Sequence, residues 1–497
     1  MDQGSHKADK SLLVNEVQNL NIDHEAHERS AVDLLKQCQS LSAELEQFQR
    51  YLIERKQETR VELRHFSKSV KAEFKLIQRT LNADPSAERT AHTLRSSNFP
   101  FYAAVWDAAK RCRGITALEK RFHWDPPYSP TAPLSGNVMK HPSSRHKRYS
   151  VMIDVIAQDG LEWVKVSNLT EKRILFDLAK DGWIEDSDND SDGVIAEDDS
   201  DDEPEGLLKQ AECLVKASKA SRVRYKYPLV RIMLPRIQCG GSKVVDALLN
   251  KIRALGITVQ TSEDIPTHSP TIAEALPQLA VNPFGGFSDT INVDCTILLA
   301  LVSDLSHCRV EKEDWHHRAV LRQIEMEKDN QLLPNSLWPA CGSRPLICTR
   351  EAAIRMQEIV DLIGTESEKK RAECLMENAS YQSRATRLQA FQELSEYAVP
   401  GFWQLPILAV DVDLPSIKAC LPTVVEELSK SLSAINQSVF FYGWASGRTT
   451  ISSNRVVAKE IEATIESDRT AESDRGPDIW ISPASRSLVG KEKLRRN

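Results

Sequence analysis

Asp294 is the residue whose type and position most directly suggest chemistry. It closes the alternating run Ile291-Asn292-Val293-Asp294, with isoleucine and valine facing one way and asparagine and aspartate the other, and a helical pattern follows at once. In parallel α/β sheets the carboxyl ends of strands open onto the ligand crevice, so an acid there can bind a metal. The same position also suits the N-cap of the next helix, and spacing alone leaves both roles open. Asp154, Glu162 and Lys165 have the residue types of a restriction-enzyme-like nuclease. That motif needs acid and lysine two apart on one strand face, where this chain has Trp163, so Glu162 points away. The segment from Asp188 through Asp190, Asp192 and Gly193 to Asp199 fits a calcium-loop template, with Asp199 in place of the usual glutamate. Neither flank is an amphipathic helix, and a solvated acidic insert explains the match better. Cys239-Gly-Gly-Ser-Lys243 is too short for a phosphate loop. His307, Cys308, His316, His317, Cys341 and Cys348 lack the paired short spacings of a zinc site. Both groups read as structural.

The elements that must position these residues belong to a long chain. At 497 residues it exceeds one hydrophobic core and implies two or three domains. Its 41% apolar and 27% charged residues fit folded, soluble domains. The 10 cysteines are scattered without a CxxC and read as reduced thiols of the cytoplasm or nucleus. The polar N-terminus carries no secretory signal, and no run approaches the roughly 20 apolar residues needed to span a bilayer, so no membrane role is expected. The net charge of −7 includes 12 acidic and no basic residues between Glu185 and Glu205, which leaves +5 for everything else. That balance permits nucleic-acid contact without requiring it.

Residues 1–125 read as a helical N-terminal region. Cys38, Leu41, Leu45, Phe48 and Leu52 form one apolar seam, and Leu63, Phe66, Val70, Phe74, Ile77 and Leu81 form another. Polar Lys56 and Thr59 between them allow either a two-helix hairpin or one long rod, within a helical domain or a dimerising coiled coil. A further helix is expected over 98–120, and 126–147 is a Pro/Ser-rich linker. Residues 148–262 read as a mixed α/β domain. It contains a strand from Tyr149, a turn at Asp159-Gly160 and a returning strand through Trp163 to Val166. Helices at 171–180 and 206–220 precede a βαβ unit made of Leu229–Leu234, Ser242–Leu255 and Ile257–Gln260. The insert 185–205 has too few apolar residues to fold alone and is expected to be disordered. A second linker spans 263–283. Residues 284–490 then read as a three-layer α/β domain with a mainly parallel sheet. Its expected strands are Thr290–Cys295, Ile407–Val412 and Ile479–Ile481, and its expected helices are 296–306, 311–330, 349–363, 366–394 and 414–435.

Several segments resemble a eukaryotic family of unknown function whose C-terminal domain is PIN-like. They include Thr290 to His307, Leu346-Ile-Cys-Thr-Arg-Glu351, Gly364-Thr-Glu-Ser-Glu-Lys-Lys-Arg371, Thr450-Ile-Ser-Ser-Asn454 and Ile481-Ser-Pro-Ala-Ser-Arg486. The resemblance also covers Val151 to Lys165 and the βαβ unit, and so most of the chain from 150 onward. It implies a PIN-like fold for 284–490. PIN nucleases hold one or two divalent metals with three or four acids, and the metals generate a hydroxide and stabilise charge on the scissile phosphate. By this resemblance Asp294 takes the first acidic position, with Asn292 and Thr296 beside it as substrate contacts. Glu351 takes the second, unless a shift of one residue puts Arg350 there, and Glu358 is the reserve metal ligand. Asn454 would hydrogen-bond a phosphate. In the stretch Phe440-Phe441-Tyr442-Gly443-Trp444, tryptophan stands where the family has an aspartate. An indole offers neither charge nor a ligand oxygen, so Mg²⁺ or Mn²⁺ would bind weakly. The resulting expectation is a weakened or inactive ribonuclease-like domain that binds RNA. The competing expectation is an adaptor that recruits proteins through its N-terminal helices and acidic insert.

Overall fold

The structure is a computed structural model and describes residues 32–83, 96–124, 149–180, 206–378, 380–381, 383–468 and 475–490. The acidic insert and the calcium-like loop within it lie outside the described residues. The chain forms two compact units, Met1–Val281 and Asn282–Asn497.

In the first unit, helix α1 covers 32–54 and α2 covers Arg64–Ala83, joined by a turn, so the pair is a hairpin. Cys38, Leu41, Leu45, Phe48 and Leu52 of α1 are buried with Leu63, Phe66, Val70 and Ile77 at and along α2, as the three-and-four spacing of both stripes requires. Helix α3, Phe99–Lys110, adds Trp106 against Phe48, with ring centroids 6.0 Å apart. The helix expected over 98–120 ends here. Gly114 takes φ +63°, and the chain turns into strand β1, Ala117–Trp124.

Strand β1 opens a five-stranded sheet with β2 (Tyr149–Ala157), β3 (Glu162–Val166), β4 (Leu229–Leu234) and β5 (Thr258–Thr261), in that order. The pairs β1–β2 and β2–β3 are antiparallel, and β3–β4 and β4–β5 are parallel. Asp159 at φ +56° and Gly160 at φ +99° make the turn between β2 and β3. Alternation sends Val164, Val166 and Met233 to the face covered by α1, α2 and α3, while Trp163, Ile232 and Leu234 face the other side. That other side is covered by α4 (Glu171–Lys180), α5 (Leu207–Ala220) and α6 (Lys243–Ala254). The N-terminal helices therefore share a core with the sheet instead of forming a domain of their own. The segment expected as a linker from 263 contains helix α7, Ile272–Leu279, closed by a Thr271/Glu274 capping box.

The second unit carries β6 (Ile291–Val293), β7 (Leu346–Thr349), β8 (Leu408–Val410), β9 (Thr450–Ser452) and β10 (Ile479–Ile481) in the order β10-β9-β6-β7-β8. All four neighbouring pairs are parallel. The unit is thus α/β with its first strand central. Between β6 and β7 come α8 (Cys295–Val302), α9 (Asp304–His307), α10 (Arg318–Asp329) and α11 (Trp338–Cys341). Between β7 and β8 come α12 (Arg350–Ile363), α13 (Glu366–Leu375) and α14 (Arg384–Glu393). Three shorter helices, α15 (Leu414–Ala419), α16 (Val424–Ser431) and α17 (Ala434–Ala445), lead to β9, and α18 (Arg455–Ser467) leads to β10. The helices expected over 366–394 and 414–435 are each interrupted. Ser383 caps a fresh helix in the first and Ser433 in the second, each side chain accepting a backbone N–H.

A buried polar network ties α9 to α13. Arg371, fully buried, donates to Asp304 Oδ1 at 2.7 Å, to the Val302 carbonyl at 3.0 Å and to the Leu394 carbonyl at 2.6 Å. Glu368, also fully buried, accepts from the amides of Asp304, Thr365 and Val489. Burial is the largest influence on Asp304 and would raise its pKa. The Ser367 and Thr365 hydroxyls and Arg371 outweigh it and hold the carboxyl below its ordinary value. The resemblance segment 364–371 is thus a structural element.

His307 lies beside this network, fully buried. Its Nε2 donates to the Leu301 carbonyl at 2.8 Å, so Nδ1 is left to accept from the Ser395 hydroxyl at 2.9 Å. This neutral form suits the site, because burial, aided by the Arg371 cation, pushes its pKa from 6.5 down to about 3. The sign of the linkage follows. Stability is complete above pH 6.5 and falls as the unfolded chain gains the proton, by about 1.4 kcal/mol per pH unit down to the folded value. Between pH 6.5 and 4.5 the wild type should therefore lose about 2–3 kcal/mol more than His307→Gln in urea titrations. Equal losses would mean that the ring is not held neutral.

Candidate functional site

An open parallel sheet binds ligands where the strand order reverses, at the carboxyl ends of the strands flanking that point. Here successive strands run outward from β6 through β7 to β8 and then return to β9 on its other side. The switch point therefore lies between β6 and β9. Asp294 follows β6, and Ser452 to Asn454 end or follow β9.

Asp294 is 3% exposed. It occupies the N-cap position of α8 but makes no side-chain capping hydrogen bond. Its Oδ2 instead accepts from Thr296 Oγ1 at 2.6 Å and from Ser452 Oγ at 2.6 Å. Burial raises its pKa, and the two hydroxyls and the nearby amides of Cys295 and Thr296 only partly oppose that. Thr296 Oγ1 also accepts from the Ser453 amide at 3.1 Å, which ties the start of α8 to the end of β9.

The register Asn292↔Thr450 creates a second rung below this one. Asn292 is fully buried, and its Nδ2 donates to Thr450 Oγ1 at 3.0 Å and to the Val439 carbonyl at 2.9 Å. The expectation of Asn292 as a substrate contact is therefore corrected. It has no exposed surface, and its amide joins β6, β9 and α17. Asn454 caps α18, its Oδ1 accepting from the Val457 amide at 3.2 Å. Ser452 escaped the sequence reading. Its signals were its place in the resembling segment Thr450-Ile-Ser-Ser-Asn454 and the alternation along β9, which puts Thr450 and Ser452 on one side.

Glu351 and Glu358 have partners of their own. Glu351, in the first turn of α12, accepts from Ser438 of α17 at 2.9 Å. Glu358 is about 10 Å further along that helix, exposed, and paired with Arg355 at 3.0 Å. Arg350 pairs with Asp411, and both are exposed. Among the described residues, no three His, Cys, Asp or Glu side chains form a group that could hold a metal ion. The expected ligand set Asp294, Glu351 and Glu358 is thus not assembled.

Trp444 lies in the last turn of α17. Gly443, just before it, abuts Thr450 and Asn292, and the chain passes from there through a short turn into the start of β9. Helix α17 runs from Ser438, beside the first turn of α12, to this amino end of β9. Trp444 is about 9 Å along the axis from Ser438, and Asp294 and Ser452 meet at the strands' other end.

In the alternative nuclease triad Glu162 is turned away from the other two, as its spacing implied. Asp154 pairs with Lys165 at 3.3 Å and accepts from the Val166 amide at 2.6 Å, all buried, while Glu162 pairs with Arg231 at 2.9 Å. The ten cysteines are all free thiols. No helix among the described residues is long and apolar enough to cross a membrane.

Fold and site together define an α/β unit with an open parallel sheet and one hydroxyl-bound carboxylate at its switch point. Residues 291–398 match the family described as protein of unknown function (DUF1308), which places an uncharacterised domain here. The match begins at β6, takes in Asp294, Thr296, Glu351 and the Arg371 network, and ends before α17 and β9. No curated protein and no solved structure matches the chain.

Proposed function

We propose that residues 282–497 are a PIN-like domain of nuclease ancestry that does not cleave RNA, and that the protein acts by binding partners. The carrying observation is Asp294: its carboxylate stands at the switch point with two hydroxyl partners, and among the described residues no three His, Cys, Asp or Glu side chains group to hold an ion. Two-metal hydrolysis of phosphodiesters needs several carboxylate oxygens to fix the ions and compensate their charge. The residues present do not fit Mg²⁺ or Mn²⁺.

Charge favours the adaptor reading over RNA binding by this unit. Residues 282–497 carry 30 acidic and 25 basic side chains, net −5. The basic excess lies in the first unit, where residues 1–281 outside 185–205 carry 29 acidic and 39 basic, net +10. A phosphate-binding surface needs the opposite distribution if the nuclease-like unit is to supply it.

The test is calorimetric titration of Mn²⁺ into the full chain, Asp294→Ala and Trp444→Asp, with an RNA-cleavage assay on each. All three should bind weakly and alike, and none should cleave. Tight binding by the wild type that disappears in Asp294→Ala, or Asp294-dependent cleavage, would overturn the proposal and point to a working metal enzyme.

A further inference from the structure

Helix α2 presents Arg64, Lys68, Lys71 and Lys75 at steps of four, three and four, so all lie on one face. All four are exposed, and none forms an ion pair with an acid among the described residues. Unbalanced like charges this close repel one another, and the helix holds them at a cost unless an anionic partner is present.

The stripe borders a groove of 760 Å³ between α1 and α2. Leu52, Ile53, Val61 and Leu63 line its apolar part. Leu52 and Leu63 belong to the hydrophobic core, whereas Ile53 is 60% exposed on the rim. Two carboxylates, Glu58 and Glu62, also line the groove, and Glu62 is paired with Lys120 at 3.0 Å. From Arg64 to Lys75 the cationic edge is about 16 Å long, or three helical turns.

We infer that this groove binds an acidic amphipathic helix of a partner protein. Aliphatic side chains of the partner enter between α1 and α2, and its flanking carboxylates meet Arg64, Lys68, Lys71 and Lys75. The inference rests on the adaptor reading above and names the chemistry of the partner. Charge complementarity requires an anion. The floor separates the two anionic candidates: single-stranded RNA is held by stacking its bases on aromatic rings, and no aromatic residue lines the groove, whereas an aliphatic floor suits the apolar face of a helix.

The test uses the full chain and fluorescence anisotropy with three labelled probes. They are a helical peptide of leucines at i, i+3, i+4 and i+7 with glutamates between, an oligoglutamate of equal length, and oligouridylate. The amphipathic peptide should bind tightest. Lys68→Glu combined with Lys71→Glu and Lys75→Glu should weaken it at least about tenfold, and the rim substitution Ile53→Asp should weaken it several-fold. These are exposed positions, and unchanged circular dichroism and melting will show that the variants fold. Tighter binding of oligouridylate than of the peptide would overturn the inference in favour of RNA. Equal binding of the peptide by wild type and the triple variant, or no binding at all, would also overturn it. None of these results bears on Mn²⁺ binding at Asp294, so the two proposals fail separately.

Discussion

Replacing Arg371 with leucine will destabilise the second unit by about 3–5 kcal/mol, the range for removing one partner of a buried charged network. The guanidinium is fully buried and satisfies Asp304, the Val302 and Leu394 carbonyls and the Cys308 sulfur at once. Leucine fills part of the volume but leaves the Asp304 carboxylate without its cation, the Val302 carbonyl without that donor and the Leu394 carbonyl with only the weak Cys308 thiol at 3.9 Å. The Thr365 and Ser367 hydroxyls remain on Asp304 and limit the damage. Arg371→Lys keeps the charge without the planar fork, and it should fall between wild type and leucine. The control is Arg350→Ala, which breaks the exposed pair with Asp411 and should cost less than about 1 kcal/mol. Urea unfolding followed by tryptophan fluorescence measures all three. A loss below about 1 kcal/mol for Arg371→Leu would show that the network is not held together by its guanidinium.

Gly443→Ala will also destabilise strongly, although alanine is ordinarily the better helix former by about 1 kcal/mol. A Cβ at this position would stand 2.1 Å from Thr450 Oγ1 and 3.1 Å from Asn292 Nδ2. Neither neighbour can yield cheaply, because the two are hydrogen-bonded to each other at 3.0 Å and both are buried in the sheet. Helix α17 must then move away from β6 and β9 or break that bond, and either response costs about 1–3 kcal/mol or more. A net loss near 3 kcal/mol is expected. Thr450→Ala removes the obstructing hydroxyl, so the double variant Gly443→Ala/Thr450→Ala should be more stable than the sum of the single losses predicts. Strict additivity, or a stabilised Gly443→Ala, would mean that α17 does not approach the sheet this closely.

The two positions also bear on the site. Gly443 sets how closely α17 lies on the central strands, and the same helix presents Ser438 to Glu351. Glu351 is thereby directed toward α17, and Asp294 is bound by hydroxyls from β9 and its own helix. The partner each acid takes is a property of the packed unit.

Much of the architecture could be read from local spacing. The two N-terminal stripes repeat every three or four residues and give α1 and α2, because that period leaves one helical face apolar. Asp159-Gly160 makes the turn between β2 and β3 because both residues accept positive φ. The βαβ unit of β4, α6 and β5, and β6 ending at Asp294 in the middle of a parallel sheet, likewise follow from strand–helix alternation. These features depend on residues a few positions apart, and the sequence alone determines them.

What only the tertiary structure decided is which polar side chains meet. Ser452 lies 158 residues from Asp294 and Glu351 lies 87 from Ser438, so no local pattern couples them. Asn292 has the alternation of a crevice residue, yet pairing with Thr450 and the close approach of Gly443 bury it completely. Glu351 and Glu358 share a helix face, but a helix rising from a strand end carries the second acid about 10 Å away from the crevice. Whether acids converge into a metal centre depends on strand order and helix approach, which are set by burial over the whole unit. The chain's sequence therefore supplies an acid at the right strand end, and its packing gives that acid two hydroxyl partners, one of them from a strand far away in sequence.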